Sequence, residues 1–150
     1  MLDICSKYFD MINFKNLRIW NDSVEYVIFL YAVTKFFPTE EKYALIQQMH
    51  KSSVSIPCNI AEGTSRKSRK EFSHYLDMAL GSGYELETQL IIAKKLNYID
   101  ENEFRDTIER LNVIQASINS YNRKLIAETG NSSKTLLTIV LSIILIISCF

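Results

Sequence analysis

Residues 68–97 read SRKEFSHYLDMALGSGYELETQLIIAKKLN. Apolar or small side chains fall at Phe72, Leu76, Ala79, Gly83, Leu86, Leu90 and Ala93, with steps of four and three alternating over three heptads. That spacing returns every one of them to one face of an α-helix and predicts a coiled-coil-like seam. Ser68 and Glu71 stand at the spacing of a capping box, which fixes where the helix starts. A helix over this stretch spans about 45 Å. Gly81 and Gly83 inside it each cost about 1 kcal/mol relative to Ala, so a compensating close approach of a neighbouring helix is expected at Ala79 and Gly83. Gly81-Ser82-Gly83 has no preceding strand and no third glycine, so it is read as helix packing, not as a dinucleotide-binding turn.

Working outward, the same period recurs. A first helix is predicted from about Asn21 to Phe37, with Trp20, Val24, Val27, Ile28 and Tyr31 as its buried stripe and Tyr26, Phe29, Leu30 and Val33 as surplus apolar residues. Pro38 stops it, because proline disfavours helix at the residue before it. Thr39 is expected to cap a second helix, with Glu40 and Glu41 at its positive end. That helix carries Leu45, Met49, Ser52 and Ile56; Pro57 kinks or breaks it, and Gly63 ends it. A fourth helix opens at Asp100–Glu103 and carries Phe104, Ile108, Leu111, Ile114, Ile118, Tyr121 and Leu125 until Gly130-Asn-Ser-Ser stops it. Short connections between long helices favour antiparallel neighbours. The expected fold is therefore all-α: an antiparallel up-and-down four-helix bundle over 14–130, a lead-in over 1–13, and an extra apolar helix or tail over 131–150.

Composition narrows the function. Lys plus Arg number 17, as do Asp plus Glu, so a polycation that coats nucleic acid by bulk charge is excluded. Hydrophobic residues make up 47% of the 150, which excludes a disordered acidic tail. Cys5, Cys58 and Cys149 are odd in number and widely spaced, so neither a disulfide framework nor a zinc knuckle is indicated, and a reducing, cytoplasmic setting is the simplest expectation. His50 and His74 are too far apart to share a metal in one helix and are expected at or near the surface; no cofactor is indicated. Cys58 has no triad pattern and is read as a small core residue beside the proline. Glu85 and Glu87 lie two apart on a helix and face different ways. No enzyme is expected.

Charge is unevenly placed. Between 42 and 70 stand Lys42, Lys51, Arg66, Lys67, Arg69 and Lys70 against Glu62, a net +5; between 100 and 109 five acids oppose Arg105, a net −4. The Arg66–Lys70 cluster precedes a helix N-terminus, where free amides favour anions. Phosphate binding by Arg66, Lys67, Arg69 and Lys70, with Lys51 and Arg18 contributing, is one reading. The other is a solvated loop, or a patch that pairs with the acidic fourth-helix start of another subunit. The surplus apolar positions, including Ile91 and Ile92, predict a closed homo-oligomer.

Several short motifs occur in order: Phe14-Lys-Asn-Leu-Arg-Ile-Trp20, Phe37-Pro38 followed by Glu41, Val54-Ser-Ile-Pro57, Asn59-Ile-Ala-Glu-Gly63, Arg66-Lys67, and Gly81-Ser82 with Glu85-Leu-Glu87. Together they resemble the four-helix-bundle family of 23S rRNA intervening-sequence proteins. They are also similar to the accessory variability determinant of diversity-generating retroelements. The resemblance covers about residues 14–125. It implies a non-enzymatic bundle that assembles as a ring, a pentamer where relatives have been described, and basic relatives that bind nucleic acid and a reverse transcriptase. One departure bears on that role. Where the family commonly has Gln followed by two arginines, this chain has Gln48-Met49-His50-Lys51. On their own chemistry Pro57, Asn59, Glu62 and Gly63 read as structural, shaping the end of the second helix.

The last segment, 135–150, is TLLTIVLSIILIISCF, without a charge. As a helix it reaches about 24 Å, short of a hydrocarbon core of about 30 Å. Lys134 can snorkel, and Arg123 and Lys124 precede it as cytoplasmic flanks. A membrane anchor, a fifth helix buried in the oligomer, and a β-prone tail stay open. The function expected is a nucleic-acid-associated accessory factor working as a homo-oligomer. Its alternative is a structural or protein-interaction module, tethered through 135–150 or not.

Overall fold

The computed structural model describes residues 12–148 in backbone and 12–127 in side chain. The element order is a 3-10 turn at Phe14–Asn16, α1 (Arg18–Val33), 3-10 turns at Thr34–Phe36 and Thr39–Tyr43, α2 (Leu45–Thr64), α3 (Arg69–Lys95) and α4 (Glu101–Ser148). Among the described residues there is no strand, so the chain is all-α.

α3 follows its seam. Phe72, Leu76, Ala79, Gly83, Leu86, Leu90 and Ala93 are all buried. The Ser68 hydroxyl accepts from the Glu71 amide at 3.2 Å and donates to the Glu71 carboxylate at 2.8 Å. At the other end Asn97 adopts φ 57°. The amides of Tyr98 and Asn97 donate to the carbonyls of Ala93 and Lys94 at 3.0 and 3.1 Å, a Schellman closure with Asn in the left-handed position. α4 starts as its acids predict, with Asp100 accepting from the Glu103 amide at 2.9 Å.

Pairs of touching residues give the register. Gly63 of α2 lies against Phe72 and Tyr75, Ser55 bonds Ser82 at 2.9 Å, and Ser52 accepts from Gln89 at 3.1 Å. Numbers fall on α2 as they rise on α3. The same holds for α3 and α4, where Phe72 meets Tyr121, Asn122 donates to Asp77 at 2.8 Å, Gly83 meets Gln115, and Lys94 pairs with Glu101. On α1, the buried Tyr26 hydroxyl donates to the Thr107 carbonyl at 3.2 Å, and His50 of α2 stacks on Tyr31.

Five expectations need correction. The inner stripe of α1 is Ile19, Ser23, Tyr26, Leu30 and Val33, whereas Ile28 is 61% and Tyr31 43% exposed and Trp20, Val24 and Val27 are half-buried. This helix is apolar on both candidate stripes. The winning one lets the Tyr26 hydroxyl reach the Thr107 carbonyl of α4, and the Ser23 hydroxyl that it buries is satisfied within α1 by the Ile19 carbonyl at 2.6 Å. Thr39 opens a separate 3-10 turn, and α2 begins at Leu45, whose amide is held by the Glu41 carboxylate at 3.2 Å. Pro57 does not break α2, which continues to Thr64. Cys58 is consequently turned outward and exposed, because the buried face passes through Ile56, Pro57, Asn59, Ile60 and Gly63. Gly130 does not stop α4, whose backbone stays helical from Glu101 to Ser148.

Residues 1–11 of the lead-in with Cys5, Cys149, and the side chains of 128–148, including Lys134, lie outside the described residues. The proposed anchor falls there. Among the described residues no helix is long and apolar enough to cross a membrane.

Candidate nucleic-acid interface

The turn between α2 and α3 is built by a glycine. A Cβ on Gly63 would stand 2.5 Å from Phe72 Cδ2 and 2.8 Å from Tyr75 Cβ. Only hydrogen fits there, so α3 begins directly against the end of α2. This puts Tyr75 beside Glu62. The Tyr75 hydroxyl donates to the Glu62 carboxylate at 2.9 Å, and that bond holds the phenol above its ordinary pKa. Arg66, one turn on from Glu62, pairs with the same carboxylate oxygen, and its guanidinium lies 4.5 Å from the Tyr75 ring centroid. Arg66 is thus a clamp on the turn, with one guanidinium nitrogen committed to Glu62.

The remaining sequence-chosen cations divide. Lys67 and Lys70 are exposed and form no ion pair among the described residues; Arg69 is half-buried on the same turn. Tyr121 packs on Phe72, in the first turn of α3, and also lines a hollow of about 470 Å³ with Arg18 and Lys124. Arg18, Lys124 and the 66–70 turn therefore share one end of the helices. Arg18 carries an exposed partner, Asp22, at 3.3 Å. Lys51 is not part of this end. It lies thirteen residues before Thr64 on α2, about 20 Å away along the helix. At the N-terminus of α3 the Glu71 amide is taken by the Ser68 hydroxyl, which in turn donates to the Glu71 carboxylate, so a negative charge already stands at this helix end.

Lys124 was missed because only the pairing of α4 with α1 and α3 brings it here. Tyr75 was missed because its role depends on the docking at Gly63. The acidic start of α4 is largely used within the chain: Glu101 pairs with Lys94 at 3.1 Å, Asp106 with Arg110 at 3.0 Å, and Asp100 caps its helix.

The other motif residues lie on α2 and α3. Asn59 donates to the Ser55 carbonyl at 2.9 Å and the Ser55 hydroxyl at 3.1 Å. Gly83 faces Gln115, with Nε2 3.0 Å from a would-be Cβ, the close approach that its cost demands. Gly81 has nothing within 4 Å of that position, so packing does not explain it. Among the described residues no group of three His, Cys, Asp or Glu is placed to hold a metal ion.

With this geometry in hand, the chain can be compared with known proteins. No curated protein matches it. A solved structure does: a protein of unknown function from the S23 ribosomal protein family of Bacteroides thetaiotaomicron, at 1.70 Å resolution. The two share 24% identity and a TM-score of 0.65, over 70% of this chain and 95% of the other, a likeness of fold. The sequence pattern of the 23S rRNA-intervening sequence protein matches residues 15–120, from the turn before α1 well into α4. The chain belongs to the 23S rRNA-intervening sequence protein family.

Proposed function

We propose that this chain is a non-enzymatic accessory protein that associates with nucleic acid, working as a homo-oligomer of antiparallel up-and-down four-helix bundles in the cytoplasm. One observation carries the reading: Lys67 and Lys70 stand exposed, with no ion pair among the described residues, beside Arg69 on the end that also holds Arg18 and Lys124. Unpaired surface cations are what a phosphate backbone recruits, through counterion release. The family description names an intervening sequence of 23S rRNA, which makes RNA the first nucleic acid to try.

Assembly is supported by apolar surface in two places. Ile28 of α1 and Val113 of α4, 61% and 58% exposed, line one groove; Tyr84, Ile91, Ile92 and Leu96 stand exposed on α3. Two different patches suit a head-to-tail contact, which closes into a ring when the rotation allows. A pentamer is the subunit count that the resemblance suggests, and a reverse transcriptase the protein partner.

The test combines binding and light scattering on wild type and on the variant with Ala at 66, 67, 69 and 70. Loss of RNA and DNA binding with the oligomer intact supports the reading. Disassembly without any nucleic-acid effect supports a protein-interaction module instead. A tether through 135–150 is excluded if a chain ending at Asn131 fractionates as the full-length protein does.

A further inference from the structure

The far end of α2 holds a second group of residues that the basic end does not use. Where α1 gives way to α2, a hollow of about 310 Å³ is lined by Tyr31, Thr34, Lys35, Lys42, Ile46 and His50, among others, and by no carboxylate. That volume is at the small end of ligand-binding pockets, about 300–1,000 Å³. Its wall is an aromatic stack: the Tyr31 and His50 rings lie 3.6 Å apart and 9° from parallel. His50 Nε2 is tied to the Thr34 hydroxyl at 2.8 Å, and that hydroxyl also bonds the Leu30 carbonyl at 3.1 Å, so the imidazole is fixed in orientation. Burial lowers its pKa below the ordinary histidine value.

The segments that line the hollow also carry exposed rings and cations. Phe36, next to Lys35, is 83% exposed, and Tyr43, next to Lys42, is 79% exposed, with Lys42 Nζ 5.4 Å from its ring centroid. These are the two most exposed large hydrophobic side chains among the described residues. Of the nearby acids, Glu41 is engaged by the Tyr98 hydroxyl at 3.0 Å and the Leu45 amide at 3.2 Å, and Glu40 is exposed. Lys51 follows His50 on α2 and is exposed, which gives the cation left out of the basic end a place at this one.

Exposed aromatic faces alternating with lysines are the recurrent platform for unpaired nucleotides, because every base has a face to stack while lysines track the backbone. We propose that this end of the bundle binds single-stranded nucleic acid, with Phe36 and Tyr43 as stacking faces, Lys35, Lys42 and Lys51 on phosphates, and one nucleoside in the hollow against Tyr31 and His50. The proposal rests on the nucleic-acid reading above and adds which form of nucleic acid is taken, and where.

The test uses full-length protein and a labelled single-stranded RNA of about twelve nucleotides, within the usual site sizes of about 4–16. The same sequence as a duplex and AMP alone are the comparisons. The variants are Phe36→Ala with Tyr43→Ala, and separately Lys67→Ala with Lys70→Ala. All four positions are exposed, and light scattering checks assembly. Loss of the two rings should weaken single-strand binding at least about tenfold and leave duplex binding unchanged, while the lysine pair weakens both. Unchanged single-strand binding in the ring variant overturns this inference but leaves the basic end standing. No wild-type binding to either form overturns both. Loss of the oligomer in the ring variant assigns these rings to subunit contact and overturns the inference too. Competition by AMP at the strand's own concentration assigns the hollow to free nucleotides and overturns the strand reading.

Discussion

The three glycines within α2 and α3 offer a graded test of the packing. In a helix interior, Gly→Ala gains about 1 kcal/mol of intrinsic propensity. At Gly63 the new methyl would meet Phe72 Cδ2 at 2.5 Å, Tyr75 Cβ at 2.8 Å and Phe72 Cε2 at 2.9 Å. Phe72 is fully buried and has nowhere to turn, and Tyr75 Cβ moves only with the backbone of α3. Overpacking of this kind costs about 1–3 kcal/mol, and the rigidity of both neighbours puts it at the upper end. After the propensity gain, Gly63→Ala should lose about 2 kcal/mol. At Gly83 the obstacle is the amide end of Gln115, whose Nε2 is 3.0 Å away and has no hydrogen bond to forfeit, so gain and strain nearly cancel. At Gly81 nothing intervenes within 4 Å, and the substitution should stabilise by up to about 1 kcal/mol. Thermal and urea unfolding followed by circular dichroism, at one fixed protomer concentration, reads this directly. With about 2–4 °C per kcal/mol at this size, midpoints should fall about 4–8 °C for Gly63→Ala and rise for Gly81→Ala. A Gly63→Ala protein as stable as wild type, or Gly81→Ala as damaging as Gly63→Ala, would refute the reasoning.

Two other perturbations are local. Burial holds His50 below its ordinary pKa, so the unfolded chain binds more protons than the folded one once pH falls through about 6.5. Stability should be complete above that pH and decline below it, and urea midpoints at neutral and mildly acidic pH should show His50→Gln flattening the decline. Asn97 closes α3 with φ 57°; Asn97→Gly should be neutral or stabilising and Asn97→Ala should cost about 1 kcal/mol, checked by thermal melts.

The all-α class and the four helices were legible because α3 and α4 state their start signals and their inner faces without ambiguity. α1 did not: with apolar residues on both stripes, its period fits two rotations, and the Tyr26 hydroxyl, which meets the Thr107 carbonyl of α4, favours one. Pro57 and Gly130 were overvalued as breaks, since a local cost of one to a few kcal/mol is outweighed when helix on both sides is favoured. The outward turn of Cys58 follows from that same continuity. At the basic end the charges were visible, and the Glu62–Arg66 pairing could be read from its four-residue spacing. Invisible was which charges share an end. Arg18 and Lys124 join the 66–70 turn through Tyr121, while Lys51 sits about 20 Å off, because grouping by chain position ignores the length of α2.

The salt dependence of duplex binding, measured for wild type and for Lys67→Ala with Lys70→Ala, tests the central claim most directly. Each phosphate contact on duplex DNA contributes about 0.9 to the slope of log affinity against log salt. If each lysine holds one phosphate, the slope of the variant should be shallower by about 1.8, with assembly unchanged. An identical slope in the two proteins, or no wild-type binding to RNA or DNA at about 50 mM salt, where such contacts are strong, would contradict it.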